Sequence, residues 1–209
     1  MRKKKEVLIQ FNKSYILEAS KQLFLKKGIE KTTVDDIAKL ADCSKSTIYV
    51  YFKSKDEIFN HIVCEYMILL KNSIQDSIEH TADFESCYFS ICVKLTEFQQ
   101  QYPMYFESIL AEISVNPEDF AEHPILEEIH HTGDEINKML EEFLRKAMIA
   151  EKIRADLDPL QTVFTLWGSI CGVILLADKK KKYFESDLKL EQQRFLDYSF
   201  QLIFNGLLQ

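Results

Sequence analysis

An all-α fold is what this sequence predicts, and three observations predict it. Only five glycines and four prolines punctuate 209 residues, too few for the tight turns that many short strands require. Apolar side chains recur at three- and four-residue spacing along most of the chain, the period of an amphipathic helix. The 46% hydrophobic content is ample for a packed core in a chain of this length.

The elements follow in order. Tyr15, Ile16, Ala19, Leu23 and Phe24 place the first helix and leave Lys13, Lys21, Lys26 and Lys27 outside it. Gly28 follows a lysine-rich last turn and precedes Ile29, which fits a left-handed C-terminal cap. Thr33-Val34-Asp35-Asp36 resembles a capping box with aspartate in place of glutamate, and opens a short helix at about 33–41. Asp42 and Cys43 make the turn, aspartate being one of the few residues that tolerate a left-handed conformation. Ser44 caps a third helix at about 44–52, whose Ile48 and Phe52 point inward. Ser54-Lys55-Asp56-Glu57 is a second capping box. Beyond it, amphipathic segments are expected at about 56–80, 84–101, 103–114, 124–150, 159–178 and 188–207. Breaks fall at Asp83, Pro103, Asn116-Pro117, His123-Pro124, Asp158-Pro159 and the run Lys179 to Lys182.

No apolar run is read as reaching the roughly 18–20 residues of a membrane span. The opening Met1-Arg2-Lys3-Lys4-Lys5-Glu6 does not lead into a signal-peptide apolar region, so the expected location is cytoplasmic. The five cysteines are odd in number and scattered, and are expected to serve as small buried hydrophobes in a reducing compartment. Neither a phosphate-binding glycine loop nor a nucleophile elbow nor a nucleotide fingerprint is present, so no enzymatic activity and no cofactor are expected. His123, His130, His131 and Asp134 fall short of a metal-ligand pattern, and no metal is expected.

Charge is unevenly distributed. The net value is −7, yet residues 1–60 hold 13 Lys/Arg against 8 Asp/Glu, and residues 61–209 hold 13 against 25. A basic end on an acidic body is expected where one end docks on phosphates. Two short helices joined by a tight turn have the layout of a helix-turn-helix, whose second helix enters the major groove of DNA. On that second helix Lys45, Ser46, Tyr49 and Val50 share one face and Ile48 and Phe52 the other. Lys45 is suited to guanine acceptors, Ser46 and Thr47 to base or phosphate, and tyrosine hydroxyls to phosphate oxygens. Lys55, in the first turn of the next helix, sits where free backbone N–H groups favour a phosphate. Arg2 to Lys5 are a candidate flexible arm toward phosphates beside this head.

Residues 15–60, YILEASKQLFLKKGIEKTTVDDIAKLADCSKSTIYVYFKSKDEIFN, resemble the DNA-binding domain of the TetR family of bacterial transcriptional regulators. The resemblance rests on Leu23-Phe24 with Gly28, on Thr32-Thr33-Val34 with Ile37-Ala38, and on Ser44 to Thr47, Tyr49, Tyr51-Phe52 and Ser54-Lys55. It departs at Asp42 and at Ser46, where relatives often carry glycine, or glycine or proline. The resemblance implies DNA contacts from Thr33, Ser44, Lys45, Ser46, Thr47, Tyr49, Tyr51 and Lys55. It also implies a homodimer whose last two helices pair with their symmetry mates, and a small-molecule pocket in the body. Residues 1–55 are then the helix-turn-helix domain, and 56–209 an effector-binding and dimerisation domain, about nine helices in all. Val163, Trp167, Gly168, Cys171, Gly172, Phe195, Tyr198, Ser199, Leu202 and Ile203 are the candidate seam, with Gly168 and Gly172 permitting close helix approach. The aromatic-rich stretch 84–106 suggests a pocket wall of Tyr88, Phe98, Tyr102, Tyr105 and Phe106, with Tyr66, Ile109, Phe164 and Trp167. Glu107 and Glu112 are read as surface carboxylates, with a cationic ligand as the alternative. The implied function is a ligand-responsive repressor that binds a palindromic operator as a dimer and is released by a small apolar or aromatic effector. The alternative is a helix-turn-helix protein that senses no small molecule and works through a protein partner.

Overall fold

The structure, a computed structural model, describes residues 2–110, 118 and 120–208, with backbone alone for 2–8, 10 and 110. Ten α-helices and no strands account for the regular structure among them: α1 (Arg2–Lys27), α2 (Val34–Leu40), α3 (Lys45–Tyr51), α4 (Lys55–His80), α5 (Phe84–Gln101), α6 (Pro103–Leu110), α7 (Pro124–Ile149), α8 (Pro159–Lys179), α9 (Lys181–Ser186) and α10 (Gln192–Asn205). The all-α prediction holds. α1 extends back to Arg2, so the four basic residues expected as a flexible arm form its first turns. The expected helix at 103–114 is present as far as Leu110, and its remainder, with Glu112 and the Asn116-Pro117 break, lies outside the described residues. The expected segment 188–207 is shorter, and α9 precedes it, because Phe184 buries against the ring of Phe195 and folds the lysine-rich stretch into a short helix of its own.

The residues fall into two compact units, Met1–Met67 with Ser108–His131, and Ile68–Glu107 with Thr132–Gln209. In the first, α1 packs on α2 and α2 on α3. Their core is Ile16, Phe24, Ile37, Ile48 and Phe52, each at most 2% exposed. The local signals behave as their chemistry requires. Gly28 has φ +81° and donates its N–H to the Phe24 carbonyl at 2.9 Å, closing α1 in the left-handed cap. At Ser54 the Glu57 N–H reaches the serine hydroxyl at 3.0 Å, while the Glu57 carboxylate takes the N–H of Lys53, one residue before the expected partner.

In the second unit α8 packs against α5 and α10, and α10 against α5 and α9. Leu95, Val163, Ile170, Cys171 and Ile174 are buried there, and the Tyr88 hydroxyl donates to the Phe200 carbonyl at 3.0 Å. Cys64, Cys87, Cys92 and Cys171 are buried and reduced, Cys43 half-buried. Burial pushes the Cys92 and Cys171 thiols up to about 12, which keeps them protonated and unreactive. One expectation is corrected: α8 is long and apolar enough, by length and composition, to cross a membrane. From Pro159 to Ala177 it carries no charged residue. Both of its faces are apolar, and only one is buried within the chain.

Candidate nucleic-acid interface and body cavity

The head is built from caps. Thr33 precedes α2, its hydroxyl accepting the Asp36 N–H at 3.1 Å while the Asp36 carboxylate accepts the Thr33 N–H at 2.9 Å, the full capping box. Lys27 of α1 adds its ammonium to the same carboxylate at 2.6 Å. This ion pair, with the two Thr33 donors, holds the Asp36 carboxyl well below the usual carboxylate range. α2 ends in a left-handed Asp42, φ +50°, with the Cys43 N–H returning to the Ala38 carbonyl at 3.0 Å. Ser44 then caps α3, accepting the Thr47 N–H at 3.0 Å, and its hydroxyl also lies 2.7 Å from those of Ser46 and Thr47. Ile48 and Phe52 anchor α3 at 1% exposure, with Phe52 edge-on to His61 at 5.3 Å and the Lys13 ammonium 5.6 Å over its ring.

The outward face of α3 therefore presents hydroxyls, the Lys45 ammonium, Tyr49 and Val50, all of them exposed except for Thr47, which is half-buried. Three of the candidate residues have partners that no sequence pattern announces. Lys45 pairs with Asp35 of α2 at 2.9 Å, and this hydrogen bond raises the lysine pKa. Tyr51 accepts a hydrogen bond from Asn12 at 2.9 Å, which ties α3 to α1 and leaves its own O–H available as a donor. Lys55 donates to the Ile29 carbonyl at 2.7 Å and so closes the loop after α1. Sequence reasoning did not single out Lys53, whose ammonium reaches the Glu122 carbonyl at 2.5 Å, nor the exposed ring of Phe11, and Tyr15, expected on the inner stripe of α1, is exposed 4.7 Å from it.

In the body a small apolar cavity of about 40 Å³ is lined by Ile91, Leu95, Leu140, Phe143, Leu144, Val163, Leu166, Trp167 and Ile170. Of the candidate pocket residues only Trp167 reaches it. Tyr88, Phe98, Tyr105 and Phe106 are buried, Phe98 against Tyr102 at 5.3 Å and Phe106 at 6.3 Å. Phe164 points outward at 57% exposure. Tyr66 and Ile109 belong to the other unit, where the Lys21 ammonium stands 5.7 Å over the Tyr66 ring. Glu107 pairs with Lys179 at 3.0 Å.

The candidate seam residues divide by burial. Val163, Cys171 and Ser199 are turned into the chain's own core, and Phe195 stands against Phe184 at 4.9 Å. Trp167 and Ile203 are half-buried. Gly168, Gly172, Tyr198 and Leu202 are exposed, and Leu160, Phe164 and Leu176 extend the outward stripe on α8 at intervals of four. The more regular apolar stripe read from the sequence is thus the intramolecular one, and the outward stripe runs beside it around the helix.

Two short helices about a left-handed turn, the second anchored by Ile48 and Phe52 and presenting donors outward, place the chain in the helix-turn-helix class. Residues 16–62 match the family model described as bacterial regulatory proteins, tetR family, so this stretch of the chain is similar to the DNA-binding segment of that family. The uncharacterised HTH-type transcriptional regulator YhgD of Bacillus subtilis is 32% identical over 92 residues, 44% of this chain and 48% of that protein; the match spans about half the length of this relative. The biofilm operon icaADBC negative transcriptional regulator IcaR of Staphylococcus aureus is 23% identical over 156 residues, 74% of this chain and 79% of that protein. The crystal structure of the transcriptional regulator FadR from Bacillus subtilis in complex with stearoyl-CoA shares the fold, with a TM-score of 0.68 at 18% identity over 92% of this chain and 98% of that one.

Proposed function

We propose that this protein is a cytoplasmic, homodimeric transcriptional repressor that binds a palindromic operator through α3 and is released by a small apolar or aromatic effector. The observation that carries the DNA-binding part is the segregation on α3: Ile48 and Phe52 buried, and Ser44, Lys45, Ser46 and Tyr49 exposed on a basic head. Thr33, Thr47, Tyr51 and Lys55 complete the contact surface, Tyr51 through its free O–H and Lys55 through the ammonium hydrogens not used on Ile29. Dimerisation is assigned to the outward faces of α8 and α10, where the large apolar side chains Phe164, Leu176, Tyr198 and Leu202 are exposed. Residues 1–55 form the reading head and 56–209 the effector and dimerisation domain. IcaR, a negative regulator, and FadR, solved with an acyl-CoA, support repression and effector binding by likeness.

The cavity gives weight to a second reading. At about 40 Å³ it holds one or two waters, an order of magnitude less than the roughly 300–1,000 Å³ of a ligand site. A more open and more polar cleft of about 450 Å³ runs beside Phe89, Glu97, Gln193 and Asp197, so the protein-partner reading rests on the apolar cavity alone. Selection of bound fragments from a random DNA library at two salt concentrations tests the DNA-binding reading. A palindromic consensus that weakens at higher salt supports it, because lysine contacts release phosphate counterions. No enrichment by folded, dimeric protein refutes it for the free form. A thermal-shift screen of apolar and aromatic compounds then separates effector sensing from partner recognition.

A further inference from the structure

Asp35 is out of place on a phosphate-binding surface. It stands in the first turn of α2 with its side chain 69% exposed, yet α2 is already capped by Thr33 and Asp36. Its Oδ2 lies 2.9 Å from Lys45 Nζ on the face that presents donors. An exposed pair of this kind adds little to stability, and a carboxylate there repels phosphates. We propose that Asp35 is a specificity-determining residue: it holds the Lys45 ammonium off the phosphate backbone and aims it, so that Lys45 engages DNA productively only where a base-edge acceptor draws it from the pair. This rests on the DNA-binding reading above and names the residue that sets its selectivity.

Phosphates are the same at every sequence, so a lysine free to reach them strengthens all complexes equally. A lysine already satisfied by Asp35 gains little from a phosphate. It gains more from guanine O6 and N7, which offer two acceptors in the groove. Asp35 thus lowers non-specific binding more than operator binding.

The test compares wild type, Asp35→Asn, Asp35→Glu, Lys45→Met and the Asp35→Asn/Lys45→Met double variant by fluorescence anisotropy. The probes are the selected operator and a scrambled duplex of the same length, over a salt series. With Lys45 of both protomers released to phosphates, Asp35→Asn should steepen the log–log salt slope on scrambled DNA by about 1.8, and tighten that binding roughly sixtyfold at 0.1 M salt if the two proteins bind alike at 1 M. The operator should gain less, so the specificity ratio falls. Asp35→Glu keeps the charge and should stay near wild type, which guards against a mere folding defect. In the Lys45→Met background Asp35→Asn should tighten both duplexes alike, by loss of the carboxylate's repulsion of phosphates, and leave the specificity ratio unchanged. An unchanged slope for Asp35→Asn with normal operator binding, or a fall in the specificity ratio that persists without Lys45, overturns the inference alone. Failure of the wild-type chain to bind any duplex at low salt overturns the DNA-binding reading and this inference with it. The side-chain ¹⁵N resonance of Lys45 in DNA-free protein should move in Asp35→Asn; a stationary resonance shows the pair is not formed and also overturns the inference.

Discussion

Replacing Gly168 and Gly172 together by alanine separates a bare helix face from a packed one. Both glycines lie inside α8, and a Cβ added at either meets no atom within 4 Å in a single chain. Glycine in a helix interior is less favourable than alanine by about 0.8–1.0 kcal/mol, so the pair costs the lone chain about 2 kcal/mol. If nothing covers the stripe Leu160, Phe164, Gly168, Gly172 and Leu176, the double substitution should recover that amount and raise the melting temperature by roughly 4–8 °C at every protein concentration. If a partner helix crosses closely over the two glycines, the added methyl groups are instead forced into its surface. Overpacking at a tight contact costs about 1–3 kcal/mol, which weakens the dimer by roughly tenfold or more. Sedimentation equilibrium reads the dimer constant, and thermal unfolding over a hundredfold range of concentration reads the stability. The expected result is a crossover, with the variant more stable than wild type when dilute and less stable when concentrated. A variant that is more stable throughout, with an unchanged dimer constant, would remove the glycine face of α8 from the seam.

On the head, Lys45→Ala should lose about tenfold in affinity or more at one base position of the selected operator, whereas Tyr49→Phe should weaken all operator variants alike; binding assays on single-base operator variants check both, and the reverse pattern would exchange the two assignments. Asp42→Gly should raise the unfolding free energy from denaturant titrations by about 1 kcal/mol, because glycine adopts φ +50° without a Cβ clash. Asp36 has its folded pKa depressed, first by the Lys27 ammonium and then by Thr33. Its contribution is therefore present above the unfolded value of about 3.9 and is lost as pH falls toward the folded one. The melting temperature of Asp36→Asn should accordingly converge on that of wild type below about pH 4, and parallel curves would refute the linkage. Val163→Ile adds one methylene beside the small cavity and should stabilise the body by about 0.8 kcal/mol, with destabilisation showing that the space is not available to it.

The head was legible because its signals are local. Gly28, the Thr33–Asp36 box, the left-handed Asp42 and the Ser44 cap each act over a few residues, and the structure shows all four. The partners of the candidate DNA contacts were not legible, because they join residues far apart in sequence. Asp35 to Lys45 spans ten residues and Asn12 to Tyr51 thirty-nine, with no periodicity to mark either. α8 misled for another reason. Both of its faces are apolar, so periodicity identifies two stripes without saying which one the same chain buries. Val163 and Cys171 lie on the inner stripe, Gly168 and Gly172 on the outer, and the absence of charge from Pro159 to Ala177 follows from having two faces to cover. The aromatic stretch suffered likewise. The ring of Tyr88 rests against Phe204 at 5.0 Å, more than a hundred residues away, a packing partner that no local pattern marks.

An effector that used the small apolar cavity would be constrained by the identity of its walls. They come from α5, α7 and α8. A ligand of several hundred Å³ cannot enter a space of about 40 Å³ without separating at least two of these helices. α5 and α8 lie wholly in the second unit, but α7 begins in the first, where Pro124 to His131 belong with the head. Two contacts inside that first unit bear on the beginning of α7. Lys53, just past the recognition helix, donates to the carbonyl of Glu122, two residues before α7 starts. His61, edge-on to Phe52, feels the charge of Glu128 on α7 itself. Displacing α7 along Leu140, Phe143 and Leu144 therefore acts on a helix whose other end is bonded to the residues that follow α3.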